Sequence, residues 1–118
     1  MAKSWRELKV WQKAHDLVLR VYKETAVFPK EEIYGLTSQV KRAAISIPAN
    51  IVEGHSRNTD KEFANFLHIS RGSLEELRYL LLLSQELGFL KADIYDSIEN
   101  DCMSISRMLN SFIVKVKQ

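Results

Sequence analysis

Glycine and proline are scarce, with four Gly and two Pro in 118 residues. So few backbone breakers exclude a turn-rich β fold and favour long helices. The single cysteine, Cys102, excludes an internal disulfide and a Cys-rich zinc site. Long apolar runs are missing too. The longest unbroken one is Tyr79 to Leu83, far short of the roughly 20 residues a membrane-spanning helix needs, so no membrane is expected. No apolar segment follows Met1-Ala2-Lys3-Ser4-Trp5-Arg6, because Glu7 and Lys9 come at once. A signal peptide is therefore not expected, and the expected location is cytoplasmic.

What is present reads as one globular domain over residues 1–118, with 46% hydrophobic and 27% charged residues. The net charge of +2 is unevenly spread. Residues 1–30 carry seven cations (Lys3, Arg6, Lys9, Lys13, Arg20, Lys23, Lys30) against three carboxylates (Glu7, Asp16, Glu24), a local +4. Residues 59–88 carry three cations against five carboxylates, a local −2, and the two remaining stretches are neutral. The first helical segment is the basic one.

Four stretches have helical periodicity. The first is expected from about Leu8 to Ala26, with Leu8, Trp11, Ala14, Val18, Val21 and Thr25 in line and Val10, Leu17 and Tyr22 widening the stripe. Phe28-Pro29 ends it, since the residue before a proline is pushed out of the α region. The second is expected from about Glu31 to Glu53 on Ile33, Leu36, Val40, Ala43, Ile47 and Ile51, with Glu31 and Glu32 at its positive end and Gly54 as its C-terminal cap. The third begins at a capping box, Thr59 with Glu62, and carries the seam Phe63, Leu67, Ser70, Leu74, Leu77, Leu81 and Ser84, closed by Gly88. The fourth starts near Ala92 or Asp93 and steps through Ile94, Ile98, Cys102, Ile105, Leu109, Phe112 and Val116. Lys115 and Lys117 suit its negative end. Short links between helices of similar length predict an all-α, antiparallel up-down-up-down four-helix bundle.

The middle of the chain carries a more specific signature. Phe28-Pro29, Glu32-Ile-Tyr34-Gly35-Leu36, Ser38-Gln39, Arg42-Ala43, Ser46-Ile47-Pro48-Ala49-Asn50-Ile51 and Glu53-Gly54 form a connected block. Leu8-Lys9-Val10-Trp11-Gln12-Lys13-Ala14, Phe66-Leu67 and Gly72-Ser73-Leu74-Glu75-Glu76-Leu77 extend it. Over about residues 5 to 90 the chain resembles the four-helix-bundle proteins often encoded in intervening sequences of the bacterial large-subunit ribosomal RNA gene. That family is similar in fold to the accessory protein of diversity-generating retroelements, a basic pentameric bundle that associates with nucleic acid. The resemblance implies a homo-oligomer, a pentamer, with no catalytic activity and no cofactor. It also implies RNA or the ribosome as a partner, through the gene's location and the cousin family.

Three sets of residues invite function. On the first helix the basic face is Lys9, Lys13, Arg20 and Lys23, with Arg6 below; it reads either as phosphate contacts or as a solvated face. On the second, Gln39, Arg42, Ser46, Asn50, Glu53 and Arg57 form a polar ridge beside the apolar stripe. As a groove, Arg42 and Arg57 would contact anions and Asn50 would read amides. As structure, Ser46 and Asn50 would repair the backbone where Pro48, lacking an N–H, kinks the helix and orphans the Ala44 carbonyl, with Glu53 pairing with Arg57 or Arg42. On the third, five consecutive apolar residues sweep all round the helix. Tyr79, Leu82 and Leu83 are its expected outward members and its expected oligomer interface. His15, His55 and His68 lack metal-site spacing, Cys102 reads as a small core hydrophobe, and Gly72 reads as a point of close helix contact. The expected function is a non-enzymatic binding or assembly module that docks on RNA or a ribonucleoprotein. The alternative is a purely structural or protein-interaction oligomer.

Overall fold

The computed structural model describes residues 2–118. It contains four α-helices: α1 (Lys9–Thr25), α2 (Leu36–His55), α3 (Asp60–Glu86) and α4 (Ala92–Lys117). Short 3₁₀ turns, Trp5–Glu7 and Lys30–Glu32, precede α1 and α2. No strand occurs among the described residues. Side-chain links show neighbours running antiparallel. Ser46 of α2 meets Ser73 of α3, while Gly54, further along α2, faces Phe63 and Phe66, earlier on α3. Arg71 and Arg78 of α3 bond Asn110 and Glu99 of α4 in the same inverted order. Helices α1 and α2 are neighbours, as are α2 and α3, α3 and α4, and α4 and α1. α1 and α3 therefore lie diagonally across a bundle 43 Å long.

One core cluster runs through all four helices. Every member of the expected α3 seam is buried, including Ser70 and Ser84. Their hydroxyls are satisfied, Ser84 by the Leu80 carbonyl and Ser70 by the Ile47 carbonyl of α2 at 2.8 Å. Leu74, Leu77 and Leu109 are fully buried and Ile105 nearly so. The α1 stripe is rotated from its expected position. Val10, Ala14, Leu17, Val21 and Thr25 are buried, Leu8, Trp11 and Val18 flank them half-buried, and Tyr22 is exposed. Covalent spacing alone could not separate these two adjacent stripes, because only the position of α2 and α4 decides which is central.

Several expected boundaries shift. Helix α2 begins at Leu36 rather than Glu31, because Gly35 (φ −116°, ψ −115°) leaves the helical region. Glu32 serves α2 from outside it, its carboxylate accepting the Leu36 N–H at 3.1 Å. Ile33, expected in the α2 stripe, is exposed. Gly54 is not a cap but a buried residue inside α2, where a Cβ would stand 2.7 Å from the Phe66 Cβ. The close helix contact expected at Gly72 belongs instead to Gly54, since a Cβ at Gly72 would meet nothing within 4 Å. At the start of α3 the Thr59 hydroxyl accepts the Glu62 N–H and donates to the Glu62 carboxylate. Gly88 (φ +83°) ends α3 in a Schellman turn. There the Phe89 N–H reaches the Ser84 carbonyl and the Gly88 N–H reaches that of Gln85.

No helix among the described residues is long and apolar enough to cross a membrane.

Candidate functional site

The basic residues of α1 divide between two grooves along the α1–α4 seam. Lys9 lines a groove of about 400 Å³ at the end where α1 starts and α4 finishes. Its floor is Leu8, Val10, Met108 and Phe112, and Arg107 and Lys115 of α4 join Lys9 around it with no carboxylate among the lining residues. Lys13 lines the next groove along, where two carboxylates, Asp16 and Asp101, do appear. Arg20 is committed there, donating to Asp101 Oδ2 at 3.1 Å and to Ser97 Oγ at 2.8 Å. Arg6 sits below with its guanidinium 4.2 Å from the Trp5 ring centroid. Among the described residues, Lys9, Lys13, Arg107 and Lys115 have no salt-bridge partner, whereas Arg20, Arg57 and Arg78 do.

The α2 ridge lies on a different side of the bundle, against α3. Arg42 lines a polar recess with Gln39, Ser46, Ser73 and Glu76. Asn50 donates its amide to both the carbonyl and the hydroxyl of Ser46, and that hydroxyl stands 2.7 Å from Ser73 Oγ. Asn50 thus serves the Ser46 carbonyl rather than that of Ala44, and the network ties α2 to α3. Helix α2 continues without interruption through the buried Pro48. Glu53 takes up Arg57 at 2.7 Å, and the same guanidinium lies 4.7 Å from the Phe66 ring centroid. Arg42 and Arg57 are therefore separated from the α1 cations.

The apolar band on α3 resolves into inside and outside. Leu80 and Leu81 are buried, Tyr79 is 61% and Leu82 36% exposed. Leu83 is half-buried against the core, not fully outward as expected. A second apolar surface runs along α1 and α2. Trp11 stacks on His15 with centroids 5.0 Å apart and meets Trp5 edge-on at 4.6 Å. Further along, the Lys41 ammonium sits 4.6 Å from the Tyr22 centroid.

Four titratable groups are perturbed by structure alone, and among them the Tyr95 phenol is raised by burial and then by the charge of Glu99. Burial pushes the Cys102 thiol up to about 12, with nearby Glu99 adding to the effect. His68 is lowered below 6.5 by burial and then by the positive charges of Arg71 and Lys117, and the Arg71 guanidinium lies 3.0 Å from its Nδ1. Bonds to Glu99 and Glu75 hold Arg78 firmly protonated. No group of three or more His, Cys, Asp or Glu among the described residues is placed to hold a metal ion.

The sequence matches the family described as 23S rRNA-intervening sequence protein over residues 6–111. The chain belongs to that family. No curated protein matches it. It is also similar to the crystal structure of a protein of unknown function from the S23 ribosomal protein family of Bacteroides thetaiotaomicron. The TM-score is 0.79 at 28% identity, covering 88% of this chain and 97% of that one. The intervening-sequence match covers the α1 cations and the α2 ridge alike, and it takes in Arg107 but stops before Lys115. Those two α4 cations were missed by the sequence reading, which saw Lys115 only as a helix-end charge. The signal was available: in an antiparallel bundle the last helix finishes where the first begins, so Lys115 had to come near Lys9.

Proposed function

We propose that this intervening-sequence protein is a non-enzymatic, homo-oligomeric helical bundle, a pentamer by family resemblance, that docks on RNA or a ribonucleoprotein. The observation that carries the RNA contact is the group of unpaired cations at one end of the α1–α4 seam, Lys9 and Lys13 with Arg107 and Lys115. Phosphate contacts need cations free of internal partners, and Arg20 and Arg57 are spent on carboxylates. Arg6, close to the start of α1, extends the same end, while Arg42 is left as a separate contact on the α2–α3 side. The family is described as 23S rRNA-intervening sequence protein, and that description supports RNA over an acidic protein as the partner. Oligomerisation draws on the exposed Tyr79 and Leu82, since apolar groups left together in water mark interfaces.

The test is binding of a single-stranded RNA oligonucleotide across a salt series. Affinity should fall as salt rises, and each phosphate contact removed by Lys9→Glu, Lys13→Glu or Lys115→Glu should flatten the log–log slope by about 0.7. Circular dichroism should show these variants folded. A wild-type protein without RNA affinity at low salt would leave the other reading, an oligomer that acts through protein contacts alone.

A further inference from the structure

The two grooves along the α1–α4 seam differ in chemistry. The one lined by Lys13 and Arg20 holds two carboxylates, Asp16 and Asp101. The other, of about 400 Å³, has an apolar floor and no carboxylate among its lining residues. Its α4 wall is built of two rows. Arg107, Ser111 and Lys115 stand four residues apart in the outer row, and Met108 and Phe112 form the adjacent row nearer the core. Arg107 and Lys115 are about 12 Å apart along the helix, at 1.5 Å per residue. Lys9 faces them from α1. The outer row and Lys9 are exposed, whereas Leu8, Met108 and Phe112 are half-buried. Phe112 is held in place from below, edge-on to Phe63 with ring centroids 5.5 Å apart. None of the three cations has a salt-bridge partner among the described residues.

We infer that this groove takes unpaired bases of a single RNA strand, with phosphates on Arg107, Lys115 and Lys9 and base faces on Met108, Phe112 and Leu8. This rests on the RNA reading above and adds to it the form of RNA recognised. Cations alone would suit any polyanion, and the floor is what separates the forms. Laying a phosphate backbone over it would set charged oxygens against apolar surface and strip them of water. The face of a base is the apolar part of RNA. In a duplex those faces are stacked on one another, whereas a single strand can turn them outward. A cationic track beside a platform for base faces is how strands are held without reading their sequence. The aromatic ring of Phe112 and the polarisable thioether of Met108 both suit such a platform. The two rows match the two parts of the ligand: the outer one runs along a backbone, and the inner one lies under its bases. An open floor with cations on both walls suits a planar group flanked by anions, and a base between its phosphates is such a group.

The experiment uses the full-length protein and three forms of one short RNA: single-stranded, annealed to its complement, and single-stranded with abasic sites in place of its bases. Fluorescence anisotropy across a salt series reads the affinity. Wild type should bind the single strand about tenfold tighter than either other form, which stacking of one base can supply. Met108→Gln keeps every cation and removes apolar surface from the floor. It should weaken the single strand about fivefold and leave the log–log salt slope unchanged, whereas Lys115→Glu flattens that slope. Circular dichroism checks that the variants are folded, and the abasic strand tests the floor with no change to the protein. A wild type that binds none of the three at low salt, whether or not it takes a peptide rich in glutamate and phenylalanine, would overturn this inference and the RNA reading together. Duplex or abasic RNA bound as tightly as the single strand, or a folded Met108→Gln variant of unchanged affinity, would overturn this inference and leave the phosphate contacts standing.

Discussion

An alanine at Gly54 would bring its Cβ to 2.7 Å from the Phe66 Cβ and 2.8 Å from Phe63 Cδ1. Neither helix backbone can yield without opening the α2–α3 contact, so Gly54→Ala should destabilise by about 1–3 kcal/mol, as overpacked core sites do. Gly72→Ala, with open space at its Cβ, should be neutral or stabilising in the same urea titration. Cys102 gives a second residue-level expectation. Its thiol is buried and pushed up to about 12, so native protein at mildly alkaline pH should resist iodoacetamide and react only on unfolding. His68 gives a third. Its pKa is lowered in the fold, so the unfolded chain binds the proton more readily. Stability is then greatest above the ordinary histidine value near 6.5 and falls as pH drops through the lowered one. Thermal melts of wild type should lose more between neutral and acid pH than those of His68→Gln.

At the scale of elements, the α3 seam was fully legible, because a heptad repeat points one way however the neighbours are arranged. The α4 seam was legible through Leu109, after which Ile113 is buried where Phe112 was expected and Phe112, like Ile94, is half-buried. Leu109→Ala and Leu74→Ala should each cost about 2–5 kcal/mol, the range for buried leucines, and a chemical melt measures it. The α1 stripe was legible only to within one flank, since Trp11 and Val18 repeat as regularly as Ala14 and Leu17. The start of α2 was misread because Glu31 and Glu32 have the composition of a first turn. What stops the helix is Gly35, whose conformation no periodicity reveals. The polar ridge was legible as a line of residues, while its role was not. Ser46 and Asn50 were assigned to Pro48 because they are near it in sequence. Ser73, the partner that binds them to α3, lies 27 positions away from Ser46. Pro48→Ala should consequently leave the Ser46–Ser73–Asn50 network in place, visible as unchanged Asn50 side-chain amide resonances.

For the molecule as a whole, the two proposed contacts occupy different ends. The unpaired cations sit where α1 begins and α4 finishes, whereas Tyr79 and Leu82 lie toward the other end. RNA binding and assembly should accordingly separate by mutation: Lys115→Glu weakens RNA without changing the sedimentation coefficient, and Tyr79→Glu changes sedimentation first. The long-range half of this picture was not legible from charge counting. The net +2 conceals that three of the seven arginines (Arg20, Arg57 and Arg78) are neutralised internally, while several lysines are not.

The four helix–helix seams are unequal. Packing is most extensive between α2 and α3, where Gly54 lets the backbones approach, and least extensive between α1 and α4. The bundle is thus a closed hoop with one weak clasp, and the clasp joins the beginning of the chain to its end. Amide hydrogen exchange should record this as a hierarchy, with α1 opening below the global unfolding free energy and α2 and α3 opening only with it. The cations proposed to hold RNA straddle that clasp, two from each side. A bound strand would therefore act as a stitch across it, and the slowing of exchange in α1 would report occupancy even though α1 supplies only half of the contact.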